Sequence, residues 1–167
     1  MAVTAKHILK LIADKFDLRR ECFSDRIRLQ KIIYLLQSYG MKLGYGFGWY
    51  RNGPYSQDLV YDAYTVLKSE SKTYGTQVRE LRLSEEAESR LNRFRDTLGD
   101  AFADPRKLEL AASVDFLRRT WYPDATPSDI YDRLQEHKAQ LHDGSSFSRK
   151  DVDEALALLD QLACRLN

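Results

Sequence analysis

The chain of 167 residues has few cysteines and histidines, little net charge and no long apolar run. Cys22 and Cys164 are far apart and make no CxxC pair, so they predict buried or free thiols in a reducing compartment. The net charge of +1 disfavours a surface dominated by nucleic-acid binding. His137 and His142 flank a loop, but no third ligand accompanies them, so we interpret them as surface residues and expect no metal site.

The missing apolar runs also bear on localisation. No segment reaches the length of a membrane-spanning helix, and the first 16 residues carry charges and lack a signal-peptide cleavage site. We therefore expect a cytoplasmic protein without a membrane partner. A composition of 43% apolar and 31% charged residues is typical of a soluble domain that buries its own core. We expect one domain over residues 1–167, with a minor boundary near residues 99–104.

Helical periodicity dominates the sequence. Leu29, Ile32, Ile33, Leu36 and Leu43 share one face of a second helix that is apolar around most of its circumference, which predicts a central helix. Several side chains could cap the start of a helix, because each can accept a hydrogen bond from a backbone N–H group in the first turn. They are Thr4, Ser24, Ser56, Ser84, Asp104, Thr126 and Ser148. The apolar stripe of the last helix, over residues 152–166, predicts docking on the domain's own core, with self-association as the alternative.

Two segments are typical of strands. Residues 45–50 are rich in aromatics, and residues 78–83 alternate apolar and charged side chains. A turn is predicted at Asn52-Gly53-Pro54. The fold class is therefore mainly α (α+β), with six to seven helices and a small two- or three-stranded antiparallel sheet.

Residues 28–64 carry the most distinctive pattern. In order, they contain Leu29-Gln30-Lys31, Tyr34-Leu35, Phe47-x-Trp49-Tyr50, Gly53-Pro54-Tyr55-Ser56 and Leu59. This order resembles the Panacea domain, the SocA-like family of antitoxins and phage-associated proteins, and also the YwgA-like bacterial proteins. The resemblance implies a helical fold with a small sheet and a binding module that neutralises a cognate toxin or presents it to a protease. It brings no catalytic residue, and the C-terminal half departs from the family pattern.

The favoured hypothesis is a non-enzymatic module that binds a protein toxin or effector, without a cofactor. Its contact surface is predicted around the Gly-Pro turn, because arginine and tyrosine often carry interface energy. The predicted contact residues are Tyr50, Arg51, Asn52, Tyr55 and Tyr61.

A basic run supports the alternative of a winged-helix-like nucleic-acid-binding regulator. Its members are Arg19, Arg20, Arg26, Arg28 and Lys31. The near-zero net charge disfavours this alternative. A hydrolase or nuclease built from scattered carboxylates has the least support, because no spacing suggests a catalytic cluster. Gly44-x-Gly46-x-Gly48 leads into an aromatic strand and not a helix, so it is interpreted as an approach to that strand and not as a phosphate loop.

Overall fold

Seven α-helices and one β-hairpin form the described parts of the computed structural model, which are residues 2–67, 77–139 and 146–167. The helices are α1 (Ala5–Phe16), α2 (Phe23–Ser38), α3 (Gln57–Val66), α4 (Glu85–Leu98), α5 (Pro105–Phe116), α6 (Pro127–Ala139) and α7 (Arg149–Leu166). The strands are β1 (Gly48–Tyr50) and β2 (Gly53–Tyr55), which pair antiparallel. The predicted fold class, mainly helical with a small antiparallel sheet, is confirmed.

Helices α2 and α5 pack against each other at the centre of the fold. Every residue of α2 from Leu29 to Leu36 is buried, and so is every residue of α5 from Leu108 to Phe116. A helix buried around its whole circumference must be covered on all sides by neighbouring elements. The prediction that the second helix forms the centre of the fold is therefore confirmed.

A buried carboxylate joins these two helices. Asp115 of α5 accepts hydrogen bonds from the hydroxyl groups of Tyr34 and Tyr39, each at 2.9 Å, and from Arg119 Nε at 2.9 Å. Asp115 has no exposed surface. Burial raises the pKa of Tyr39 to about 12, and the negative charge of Asp115 adds to this shift. The buried carboxyl group is thus bonded to three donors, as a buried polar group requires.

Several predicted helix starts are confirmed. Ser56, Ser84, Asp104 and Ser148 each accept a hydrogen bond from a backbone N–H in the first turn of the helix that follows. The start predicted at Ser24 is wrong, because α2 begins at Phe23 after Cys22, whose N–H is accepted by the Asp25 carboxylate.

The small sheet differs from the prediction. The segment 78–83 is not a strand: Val78–Glu80 forms a short 3₁₀ helix, and the following residues pair with no described strand. Instead, β1 pairs with β2 across a two-residue turn at Arg51 and Asn52. A two-residue turn costs less chain entropy to close than the longer connection from β1 to residue 78, which favours the local pairing. Gly53 and Pro54, predicted as turn residues, lie in β2.

The core extends across the predicted minor boundary. Gly99–Ala103 is a short 3₁₀ helix between α4 and α5, and one hydrophobic cluster contains Leu9 and Leu91 before it and Leu117 and Leu159 after it. The apolar stripe of α7 is buried in this core, as the default interpretation predicted. No described helix has the length and apolar character needed to span a membrane.

Candidate binding cleft

A cleft of about 690 Å³ opens between the first half of α2, the hairpin and α3. This volume falls in the range of roughly 300–1,000 Å³ that is usual for ligand sites. All of its lining residues come from positions 20–63, and most of them belong to the distinctive segment 28–64. Its apolar lining consists of Phe23, Ile27, Leu29, Trp49, Val60 and Ala63.

The hairpin places its aromatic side chains on two faces. Trp49 points inward, with its ring centroid 5.8 Å from that of Phe116 and 5.7 Å from that of His137. Tyr50 and Tyr55 lie on the other face, and their rings stack at a centroid distance of 5.1 Å. This division follows from the alternation of side chains along a strand. Tyr50 remains 63% exposed and lines the cleft together with Tyr55.

Two residues of α2 fasten the hairpin and the start of α3. The Gln30 side chain exchanges two hydrogen bonds with the backbone of Ser56, donating to its carbonyl oxygen at 3.0 Å and accepting from its N–H at 2.9 Å. Lys31 Nζ donates to the carbonyl oxygen of Pro54 at 2.7 Å. Since backbone groups buried away from water need partners, these bonds fix β2 against α2. Two sequence motifs, Leu29-Gln30-Lys31 and Gly53-Pro54-Tyr55-Ser56, therefore hold each other in place.

Lys31 is a buried lysine at the inner end of this cleft. Its side chain is 2% exposed, and burial lowers its pKa to about 7. Glu109 opposes this shift, while the positive charge of Lys138 adds to it. Glu109 in turn accepts hydrogen bonds from Lys138 Nζ and, at 3.3 Å, from Asn52 Nδ2. The turn of the hairpin and β2 thus contact a buried polar network of side chains from α2, α5 and α6.

Three arginines line the more exposed part of the cleft. The Arg20 guanidinium lies 4.4 Å above the centre of the Tyr64 ring, and Arg26 donates to the backbone carbonyl oxygens of Arg20 and Glu21. Arg51 makes no hydrogen bond or ion pair with any described residue. No Asp or Glu is among the cleft-lining residues. The nearby carboxylates of Glu21 and Asp25 accept backbone N–H groups, of Arg20 and Cys22 respectively.

The structure brings together most, but not all, of the residues predicted for contact with a partner. Tyr50, Arg51, Asn52 and Tyr55 line the cleft. Tyr61 does not line it: this side chain is 74% exposed on α3, one turn before Tyr64.

The basic run divides into residues with different surroundings. Arg20, Arg26 and Lys31 line the cleft, although Lys31 is buried and bonded to the hairpin. Arg19 pairs with Asp17, and Arg28 donates to the carbonyl oxygen of Phe102. The run is therefore not one basic face. A winged helix also needs a strand as its wing, but the strand predicted at residues 78–83 is absent: Val78–Glu80 is 3₁₀-helical, and residues 81–83 form no strand.

Sequence reasoning missed the apolar side of the cleft. Phe23, Val60 and Ala63 line it, and neither their residue types nor their spacing differs from ordinary helix positions. Only the exposure of Phe23, at 59%, distinguishes this residue, and exposure is a property of the folded chain.

His137 also differs from the prediction that it is a surface residue. It is half-buried against Trp121 and lies within hydrogen-bonding distance of the Tyr122 hydroxyl group.

No family model, curated protein or solved structure matches the chain. The resemblance to the Panacea domain accordingly stays a prediction. Within residues 2–67, 77–139 and 146–167, no group of three or more His, Cys, Asp or Glu side chains is placed to hold a metal ion. His142 lies outside these ranges. Both cysteines are free and exposed, so of the two predicted states, buried or free, the structure shows free thiols that are not buried.

Proposed function

We propose that the protein is a cytoplasmic, non-enzymatic binding module whose cleft between α2, the hairpin and α3 receives part of a protein partner. The observation that carries this proposal is the concentration of exposed aromatic side chains at one site. Phe23, Tyr50 and Tyr64 are each more than half exposed; Phe23 and Tyr50 line the cleft, and Tyr64 lies beneath the cleft residue Arg20. Clustered exposed apolar surface beside polar groups is characteristic of protein interaction sites.

The rigidity of the hairpin supports the same proposal. Its strands are held to α2 through Lys31 and Pro54, and Gly53 packs directly on Ser113 of α5. The backbone that carries Tyr50 and Tyr55 is therefore held in place before a partner binds. Such preorganisation lowers the entropy lost on association.

The resemblance of residues 28–64 to SocA-like antitoxins suggests the kind of partner. The module would occlude the active site or the assembly surface of a toxin or effector by covering it with this cleft. The proposal requires no chemistry from the module itself.

Site-specific photo-crosslinking in the native cell tests this function. A benzophenone side chain replaces Tyr50, and a matched control carries it at Gln161, which is exposed on α7 and does not line the cleft. We expect one protein to cross-link in near-equal amount from position 50 and not from position 161. Equal capture from both positions, or no protein captured from position 50, would refute the proposed site.

A further inference from the structure

The charges around the cleft restrict what it can bind. Three guanidinium groups line it, from Arg20, Arg26 and Arg51, and none of them has a carboxylate partner among the described residues. Elsewhere on the surface, Arg118 pairs with Asp160 and Arg133 pairs with Glu136. Unpaired like charges around a concave surface create a positive potential that attracts anionic groups.

The interior of the cleft selects for apolar groups. Ile27, Leu29 and Ala63 are buried and provide an aliphatic floor, while Val60 and the more exposed Phe23 form its sides. A ligand seated in this cleft of about 690 Å³ would cover Val60 and Phe23, which still face water, and would remove their apolar surface from it. The complementary ligand is therefore apolar where it enters the cleft and negatively charged at the rim.

We propose that the cleft binds an acidic segment of the partner protein, with aromatic or aliphatic side chains seated on the floor and flanking Asp or Glu carboxylates paired with Arg26 and Arg51. This inference rests on the proposed function and names the chemistry of the partner's contact segment. Guanidinium groups suit such carboxylates because they form two parallel hydrogen bonds. The rim arginines would also speed association with an acidic partner.

A protein segment fits these observations better than nucleic acid. Single-stranded nucleic acid is held by aromatic platforms along a groove of basic residues that follows the phosphate backbone. Here the basic residues do not continue along a groove beyond the cleft, because those outside it have other partners: Arg19 pairs with Asp17, and Arg28 bonds to the backbone of Phe102. The net charge of the whole chain is only +1.

Selection from a random peptide library displayed on phage tests the inference on the full chain. We expect enriched sequences to combine aromatic or aliphatic residues with flanking Asp or Glu. The best peptide, synthesised with a fluorescent label, is then titrated with protein by fluorescence anisotropy. Arg26→Glu and Arg51→Glu should each weaken binding about tenfold or more, because each places like charge against the peptide.

Two comparisons separate a charge effect from damage to the fold. Arg165→Glu makes the same charge change at an exposed site on α7 and should leave affinity unchanged. Arg51→Gln removes the positive charge without adding a negative one and should weaken binding less than Arg51→Glu. Circular dichroism checks that each variant is folded, which we expect since Arg26 and Arg51 are both exposed.

Several outcomes would overturn the inference. Enrichment of neutral or basic peptides, failure to enrich any peptide, or equal affinity for wild type and Arg51→Glu would each do so. Tighter binding of a labelled oligothymidylate than of the best peptide, lost on raising the salt concentration, would identify nucleic acid as the ligand. If cross-linking from position 50 captures a partner while the peptides are not acidic, the proposed function stands and this inference fails.

Discussion

Replacement of Gly53 by alanine tests the packing on which the cleft depends. Gly53 has φ of +85°, and a Cβ atom added there would lie 2.2 Å from Ser113 Oγ and 3.3 Å from Ser113 Cβ. Both the backbone conformation and the contact with α5 therefore exclude a side chain. The hairpin must shift away from α5 or adopt a different turn in the Gly53→Ala variant.

The expected cost has two parts. A residue with a Cβ atom in the left-handed region costs about 1–2 kcal/mol. Forcing an extra carbon into a filled interior costs about 1–3 kcal/mol more. We therefore expect Gly53→Ala to lower the free energy of unfolding by about 2–5 kcal/mol.

Two other glycines separate these parts. Gly44 has φ of +88° but nothing within 4 Å of an added Cβ, so Gly44→Ala should cost only the conformational part. Gly46 has neither a positive φ nor a close neighbour, so Gly46→Ala should change stability by less than about 0.5 kcal/mol. Urea unfolding monitored by circular dichroism and by the fluorescence of Trp49 and Trp121 gives all three values.

A double variant identifies the contact itself. Ser113 Oγ is buried and has no hydrogen-bond partner among the described residues, so Ser113→Ala alone should be close to neutral. Combined with Gly53→Ala, it should recover about 1 kcal/mol or more, because the nearest atom is removed. Equal costs for Gly53→Ala and Gly44→Ala, together with no coupling to Ser113, would refute the close packing of hairpin on α5.

Two further predictions concern buried charges. Asp115→Asn should destabilise the protein by about 3 kcal/mol, because the buried carboxylate accepts hydrogen bonds from Tyr34, Tyr39 and the Arg119 guanidinium. The control Asp160→Asn, at an exposed ion pair, should cost less than about 1 kcal/mol. Urea unfolding measures both values, and equal effects would contradict the argument. Lys31 has a pKa lowered from 10.5 to about 7, so between these values the unfolded chain binds the proton that the folded chain has released, and stability should rise with pH over that interval. Unfolding of wild type and Lys31→Met at pH 7, 8.5 and 9.5 should show this rise only in the wild type; parallel profiles would contradict it.

The elements that were predictable from sequence are those with local causes. Ser56, Ser84 and Ser148 cap helices through bonds that reach only three residues along the chain. The apolar circumference of α2 likewise indicates its central position without knowledge of its neighbours. The prediction of a strand at residues 78–83 was wrong, because an alternation of apolar and charged residues indicates a half-buried segment but does not specify a strand for it to pair with. Residues 53–55, closer in the chain, already pair with β1.

The cleft was predictable only in part for the same reason. Tyr50 and Arg51 were identified by residue type beside a turn, and the turn is local. The apolar side of the cleft depends on how α2 and α3, which are separated along the chain, are placed beside each other, and no spacing in the sequence predicts that placement. Phe23 was overlooked because α2 begins earlier than Ser24, so this residue falls in its first turn and lines the cleft.

The residues that hold the hairpin to α2 and the arginines that would select a partner are different. Gln30, Lys31 and Ser56 form bonds within the chain that hold the hairpin to α2, so any chain that keeps this scaffold needs them or equivalents. Among the described residues, Arg51 forms no hydrogen bond or ion pair, and Arg26 bonds to the backbone carbonyl oxygens of Arg20 and Glu21, so neither arginine holds the hairpin to α2. It follows that Gln30→Ala should lower stability and binding together, whereas Arg51→Glu should lower binding alone. The identity of the partner must therefore be sought in the rim of the cleft, whose arginines do not hold the hairpin on α2.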